Sequence, residues 1–382
     1  MADERLQMIL DRARRSVDVG ERNELLALYG VGLAQAGRIK DCLDLRTEIG
    51  DPTRNSRFPR AAIQVMIFDG VFLYYKDRDG KALDRLIRAR ALAHVAGFED
   101  LNLQSCIWMA HLAFNFDRFD ILKTALSFAA ERVDQADVGL RARFCLVVAD
   151  SCGMVGGKDL AQNWYVLARI FARSAGERSM LTAIEYNRFV IGLSRIRIDR
   201  INGVASQGLE GRSWTAELMS LVRLHEGLGV NVLPDLLQLA KSMLWQLDGD
   251  YRQAKDALVE IEARAGADRC GMSQELLSLE IMYCMSRCGE GCTEFGNGGD
   301  WLDRIAGLSL DEQFLALPLF ENLCAQLSIP YDRQKVASLR AVAEDHCLKT
   351  LNQLRDSIEC VHGFLDKVRA LAGIQGVAQS PS

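Results

Sequence analysis

Proline is scarce in this chain: six residues in 382. Proline removes a helical hydrogen bond and clashes with the preceding turn, so its near-absence suits long, uninterrupted helices. Alternation of apolar and polar residues, the mark of a half-buried strand, is almost missing too. The one short instance, Arg195-Ile196-Arg197-Ile198-Asp199-Arg200-Ile201, reads as a charged helix end. There is no basic excess. Lys and Arg number 46 against 51 Asp and Glu, for a net charge of -5, which excludes the electrostatic footprint of a nucleic-acid binder. The arginines Arg188, Arg195, Arg197 and Arg200 form a group too short, and too interrupted by Asp199, to change that. Long apolar runs are lacking as well. Ala61 to Tyr75 is broken by Gln64 and Asp69 and is too short for a bilayer. The N-terminus is charged from Asp3 onward with no apolar core, so no secretory signal is expected. Eleven cysteines, mostly single and set in apolar stretches, then read as reduced, buried side chains of a cytoplasmic protein.

Catalytic signatures are equally sparse. His94, His111, His225, His346 and His362 are scattered, without the His/Glu spacing of a zinc protease or a serine elbow. Gly30-Val31-Gly32 with Gly37 lacks the glycine spacing and the preceding strand of a dinucleotide site, and reads as close helix packing. Gly156-Gly157-Lys158 lacks the framework of a phosphate loop. The only cysteine cluster is Cys284, Cys288 and Cys292, with Cys270 upstream. One helical turn separates the first two, but no histidine is near and the spacing is not that of paired zinc ligands. They are weak candidates for a metal. The chain is read as a non-enzyme without a cofactor.

What the sequence does contain is repetition. Ala89-Arg90-Ala91-Leu92-Ala93-His94-Val95-Ala96-Gly97 and Ala168-Arg169-Ile170-Phe171-Ala172-Arg173-Ser174-Ala175-Gly176 share the pattern A-R-x-x-A-x-x-A-G, 79 residues apart. That offset is about two units of ~40, a period that signals an array of similar supersecondary units. Apolar residues recur at helical spacing. The pattern predicts helix pairs at about 22–36 and 39–49, 59–76 and 81–96, 100–115 and 119–132, 138–154 and 158–175, and later 233–247 and 251–265. Glycine just past a helix end is the expected stop, as at Gly37, Gly80 and Gly249.

The pair around Gly249, Trp245-x-x-x-Gly249-Asp250-Tyr251-x-x-Ala254-x-x-x-Leu258-x-x-Ile261, resembles a tetratricopeptide repeat. Leu26, Gly30, Leu33, Gly37, Cys42 and Pro52 fall near the same family's small and apolar positions. The longer period and the turns at Ala96-Gly97-Phe98-Glu99, Ala175-Gly176-Glu177-Arg178 and Ala265-Gly266-Ala267-Asp268 are similar to the degenerate arrays of bacterial signal-responsive regulators. The resemblance implies an all-α fold, a right-handed superhelical α-solenoid. It also implies a protein- or peptide-binding regulatory module, or alternatively a receptor gated by a small molecule or peptide.

The binding surface expected of such an array is the concave face of the first helices. Polar residues inside otherwise apolar first helices are the candidates: Gln64, Asp69, Gln104, His111, Asn115, Arg143, Glu185, Asn187 and Arg188. In peptide-receptor members of the class, inner-helix asparagines hold the peptide backbone, and Asn187 is the nearest match in kind. The organisation expected is an array over 1–288, a glycine-rich loop over 289–300, a C-terminal helical section over 301–372 and a tail over 373–382. In the last helix Cys347, Leu351, Leu354, Ile358, Val361, Leu365 and Val368 are spaced 4, 3, 4, 3, 4, 3, an a/d seam. Two readings stand: a cap laid on the last repeat, or one strand of a homodimeric coiled coil.

Overall fold

The computed structural model describes residues 4–50, 57–201, 214–228, 234–265, 272–292 and 295–373. The fold is all-α, and no strand occurs among the described residues. The chain divides into two compact units. The first holds residues 1–188, 225–232 and 353–382, and the second holds 189–224 and 233–352.

The first unit is built from helix pairs. They are α1 (Glu4–Arg15), α2 (Val19–Gln35), α3 (Ile39–Ile49), α4 (Pro59–Asp77), α5 (Lys81–Val95), α6 (Glu99–Asn115), α7 (Phe119–Arg132), α8 (Val138–Met154), α9 (Lys158–Ala175) and the start of α10 (Arg178–Ile201). A 3-10 turn, Val133–Gln135, follows α7. The first helices α2, α4, α6 and α8 lie side by side, and α5, α7 and α9 pack on them from behind. Arg60 of α4 bridges Glu24 of α2 and Asp100 of α6.

The repeated phrase is the end of a second helix in both copies. Ala89, Ala93, Ala168 and Ala172 are fully buried, small residues that let neighbouring helices approach. Gly97 and Gly176 take φ of 73° and 70°. In that left-handed conformation the amide of the next residue reaches back five positions, Phe98 to Ala93 and Glu177 to Ala172. The Schellman closure satisfies carbonyls that the helix end would orphan.

Sheathing on several sides has a consequence for α6 and α8. Every residue from Leu101 to Ala113 and from Ala142 to Cys152 is buried. A helix buried all round offers no face on which a polar side chain stays hydrated.

The second unit contains α11 (Trp214–Leu228) in part, α12 (Pro234–Asp248), α13 (Tyr251–Ala265), α14 (Gln274–Arg287), α15 (Gly298–Ala306), α16 (Leu310–Leu327) and the first part of α17 (Arg333–His362). Leu239, Leu258, Ile261, Leu277 and Ile281 form one core, and Leu276, Leu279, Phe295, Trp301 and Phe320 another. Helix α14 contributes to both cores. The glycine-rich stretch expected to separate two sections therefore lies inside one unit. Phe295 is buried and stacks on Trp301 at 5.8 Å, and α15 begins at Gly298.

The last helix, which carries the a/d seam, is two helices, α17 and α18 (Leu365–Leu371), parted at Gly363. Leu354, Ile358, Val361 and Val368 are buried in the core of the first unit. Ser357 donates to the carbonyl of Phe119 at 3.2 Å, and Lys367 pairs with Asp134 at 2.8 Å. This part of the seam is covered by the chain's own α7–α9 region, not by the last repeat. The segment over 202–213, where the repeat pattern fades, lies outside the described residues, as do Cys270, residues 374–382 and the side chains of Arg195, Arg197 and Arg200.

Candidate functional site

The polar residues picked from the sequence fall into two groups. Gln64, Gln104, His111 and Arg143 are buried. Gln104, His111 and Arg143 do not line an open, hydrated groove as expected, because α6 and α8 are buried on all sides over these stretches, and Gln64 is buried on α4. Asp69, Asn115, Glu185, Asn187 and Arg188 are half-buried.

Arg143, on α8, is 3% exposed. Its guanidinium carbon stands 3.6 Å from the centroid of the Trp108 ring of α6, a close cation–π contact. One turn along α6, His111 meets Trp108 edge-on at 5.8 Å and Tyr74 of α4 at 5.5 Å. Tyr74 in turn contacts Tyr75 and Phe116, and Tyr75 contacts Trp108 at 6.4 Å. Ring contacts thus link α4 and α6 around His111, and Arg143 of α8 joins them through Trp108. The half-buried Arg78, just past α4, lies 5.9 Å over Tyr74.

The hydrogen bonding of this cluster is incomplete. The Arg143 side chain makes no hydrogen bond or ion pair among the described residues, and Nδ1 of His111 is buried without a partner. Burial, reinforced by the Arg143 and Arg78 charges, holds the His111 imidazole neutral, well below the ordinary histidine range. A neutral imidazole can donate at that nitrogen.

Two turns beyond Arg143 on α8, Asp150 is 1% exposed. Tyr165 of α9 donates to Oδ1 at 2.8 Å and Asn187 of α10 donates to Oδ2 at 2.7 Å. Burial raises the carboxyl from 3.8 to about 7, against the pull of those two donors. The network runs on through α10. Glu185 pairs with Arg169 at 2.7 Å and with Arg188 at 3.4 Å.

The other candidates make contacts of their own. Asp69 faces α3 and pairs with Arg46 at 2.7 Å. Asn115 donates back to the carbonyl of His111 at 2.8 Å. Gln64 leaves Nε2 without a partner. The structure therefore joins His111 and Arg143 through Trp108, and brings Asn187 to Asp150.

Trp108, Tyr74, Tyr75, Arg78, Asp150 and Tyr165 escaped the sequence reading. The signal for Asp150 was there: a lone carboxylate in the apolar run Cys145-Leu146-Val147-Val148-Ala149-Asp150. It also stands one repeat, 39 residues, beyond His111, just as Arg143 stands 39 beyond Gln104.

The weak metal candidates do not converge. Among the described residues no three His, Cys, Asp or Glu side chains stand close enough to hold an ion. Cys284 is buried and Cys292 donates to the carbonyl of Met282 at 3.4 Å. Among the described residues no helix is long and apolar enough to cross a membrane.

No family model matches the chain, and no curated protein or solved structure matches it either.

Proposed function

We propose that the chain is a regulatory binding protein that takes its ligand among the first helices α4, α6 and α8. The observation that carries this reading is Nδ1 of His111, buried without a partner, beside Arg143, a 3% exposed arginine on the adjacent helix with no carboxylate in ion-pair reach among the described residues. Buried polar groups are almost always satisfied, and a ligand would complete these two. Burial favours an enclosed small ligand, or the end of a peptide, over an extended segment lying along an open groove. A ligand that binds one arrangement of the helices better than another shifts the population toward it. The response of a protein partner to that shift would be the output.

Native mass spectrometry of the freshly purified full chain, beside thermal melting with a small-molecule library, tests the reading. A bound mass, or a compound whose stabilisation is lost in His111→Phe and Arg143→Met, is the expected result. A bare polypeptide that no compound stabilises would overturn it and return the chain to a permanently open protein scaffold.

A further inference from the structure

We propose that Arg143 is the anchor for the carboxylate of an organic acid with an apolar or aromatic body. This inference rests on the ligand-binding reading above and names the ligand's chemistry.

Three features of the site point there. The first is charge. A buried guanidinium without an anion is disfavoured, and among the described residues no carboxylate lies within ion-pair distance of Arg143. Asp150, on the same helix, has both oxygens occupied by Tyr165 and Asn187.

The second feature is geometry. The guanidinium carbon stands 3.6 Å over Trp108, and none of the guanidinium donors is taken by a protein acceptor among the described residues. That planar fork matches a carboxylate bidentately. His111 offers one further donor at Nδ1 once neutral, and adds no second buried charge. A single buried cation with a neutral donor beside it suits a monoanion better than a dianionic phosphate.

The third feature is the surroundings. Tyr74 and Trp108 pack edge to face on His111, and Phe116 and Tyr75 pack edge to face on those two rings in turn, an aromatic surrounding suited to an apolar body. Arg78, more exposed than Arg143 and also without an ion-pair partner among the described residues, extends the positive field outward, where it would steer an anion inward.

The test uses the full chain and five probes: 3-phenylpropanoate, octanoate, the primary amide of each, and phenyl phosphate. Thermal melting and tryptophan fluorescence are the readouts. The acids are expected to stabilise the protein and perturb its fluorescence, and the amides to do neither. In Arg143→Met the affinity for the acids should fall roughly tenfold to a hundredfold, the range for hydrogen bonds to charged groups. Arg143→Lys should lose most of it too, because a point charge lacks the fork. Circular dichroism shows whether each variant is folded. If Arg143→Met does not fold, Arg143→Lys and Trp108→Phe carry the test.

Amides as effective as acids, phenyl phosphate stronger than either acid, or acids acting equally on the Arg143 variants would each overturn the carboxylate assignment. The binding reading would survive those outcomes, since a probe was bound. Silence from all five probes, with no bound mass on the purified chain, would overturn both.

Discussion

Asp150 shows how much one residue's surroundings determine. A carboxyl group in water ionises near 3.8, whereas here it does so at about 7 because burial penalises the charge. Between those values the unfolded chain releases this proton and the folded chain keeps it. The stability linked to Asp150 is therefore full below about pH 4, falls as pH rises toward 7, and is flat above. At about 1.4 kcal/mol per unit of pKa, the loss is at most ~4 kcal/mol. His111 works in the opposite direction. Its depressed ionisation costs stability as pH falls below 6.5. The two are separated by comparison: melting temperature against pH for the native chain and for Asp150→Asn. The difference between the two curves should grow in favour of the variant from pH 4 to 7. A constant difference would mean that Asp150 ionises normally in the fold.

Tyr165 supplies the second test at this scale. Tyr165→Phe removes a donor at 2.8 Å from a buried carboxyl and should cost about 1–3 kcal/mol by chemical denaturation. It should also move the Asp150 transition to higher pH, since that donor favours the ionised form.

At the scale of elements, the ends of the helices were the most legible part of the sequence. The pairs α4/α5, α6/α7 and α8/α9 lie within a residue or so of where periodicity and glycine stops placed them. The reason is local: a Schellman closure needs a left-handed residue, most often glycine, as at Gly97 and Gly176, although Asp117 takes that place after α6 with φ of 54°. Gly97→Ala and Gly176→Ala test this. Each forces a side chain into φ near 70° and should destabilise by about 1–2 kcal/mol, although nothing lies within 4 Å of an added Cβ at either position. An unchanged midpoint in urea would show that the turns do not depend on the left-handed conformation.

Less of the site was legible than of the helices. Asking which polar residues interrupt apolar first helices does recover His111 and Arg143. The same question cannot say that α6 and α8 are covered all round, because helical period reports which face is apolar and not how many neighbours surround it. Helix α1 escaped for a related reason. Its charged sequence, Glu4–Arg15, carries a narrow apolar stripe that acquires meaning only beside α2, against which it packs.

At the scale of the whole chain, the a/d seam is the instructive case. Spacing alone establishes that one face of the last helix is apolar; it does not say which chain covers that face. In the structure, Leu354, Ile358, Val361 and Val368 enter the same core as Leu122, Ala129 and Leu167, more than 180 residues earlier in sequence. The first unit is thus closed by residues from both ends of the chain, and its stability depends on the last of them being present. Ile358 is 2% exposed, so Ile358→Ala should leave a cavity and cost about 2–5 kcal/mol. The loss should be independent of protein concentration, because the partners of Ile358 are in its own chain. A coiled-coil dimer would behave differently: the midpoint would rise with concentration, and the variant would shift the protein toward monomer. Urea midpoints measured across a hundredfold range of concentration, with sedimentation of native protein and variant, separate the two. A midpoint that climbs with concentration would mean that the seam is shared between chains, and the closure of the first unit by its own C-terminal helices would have to be abandoned.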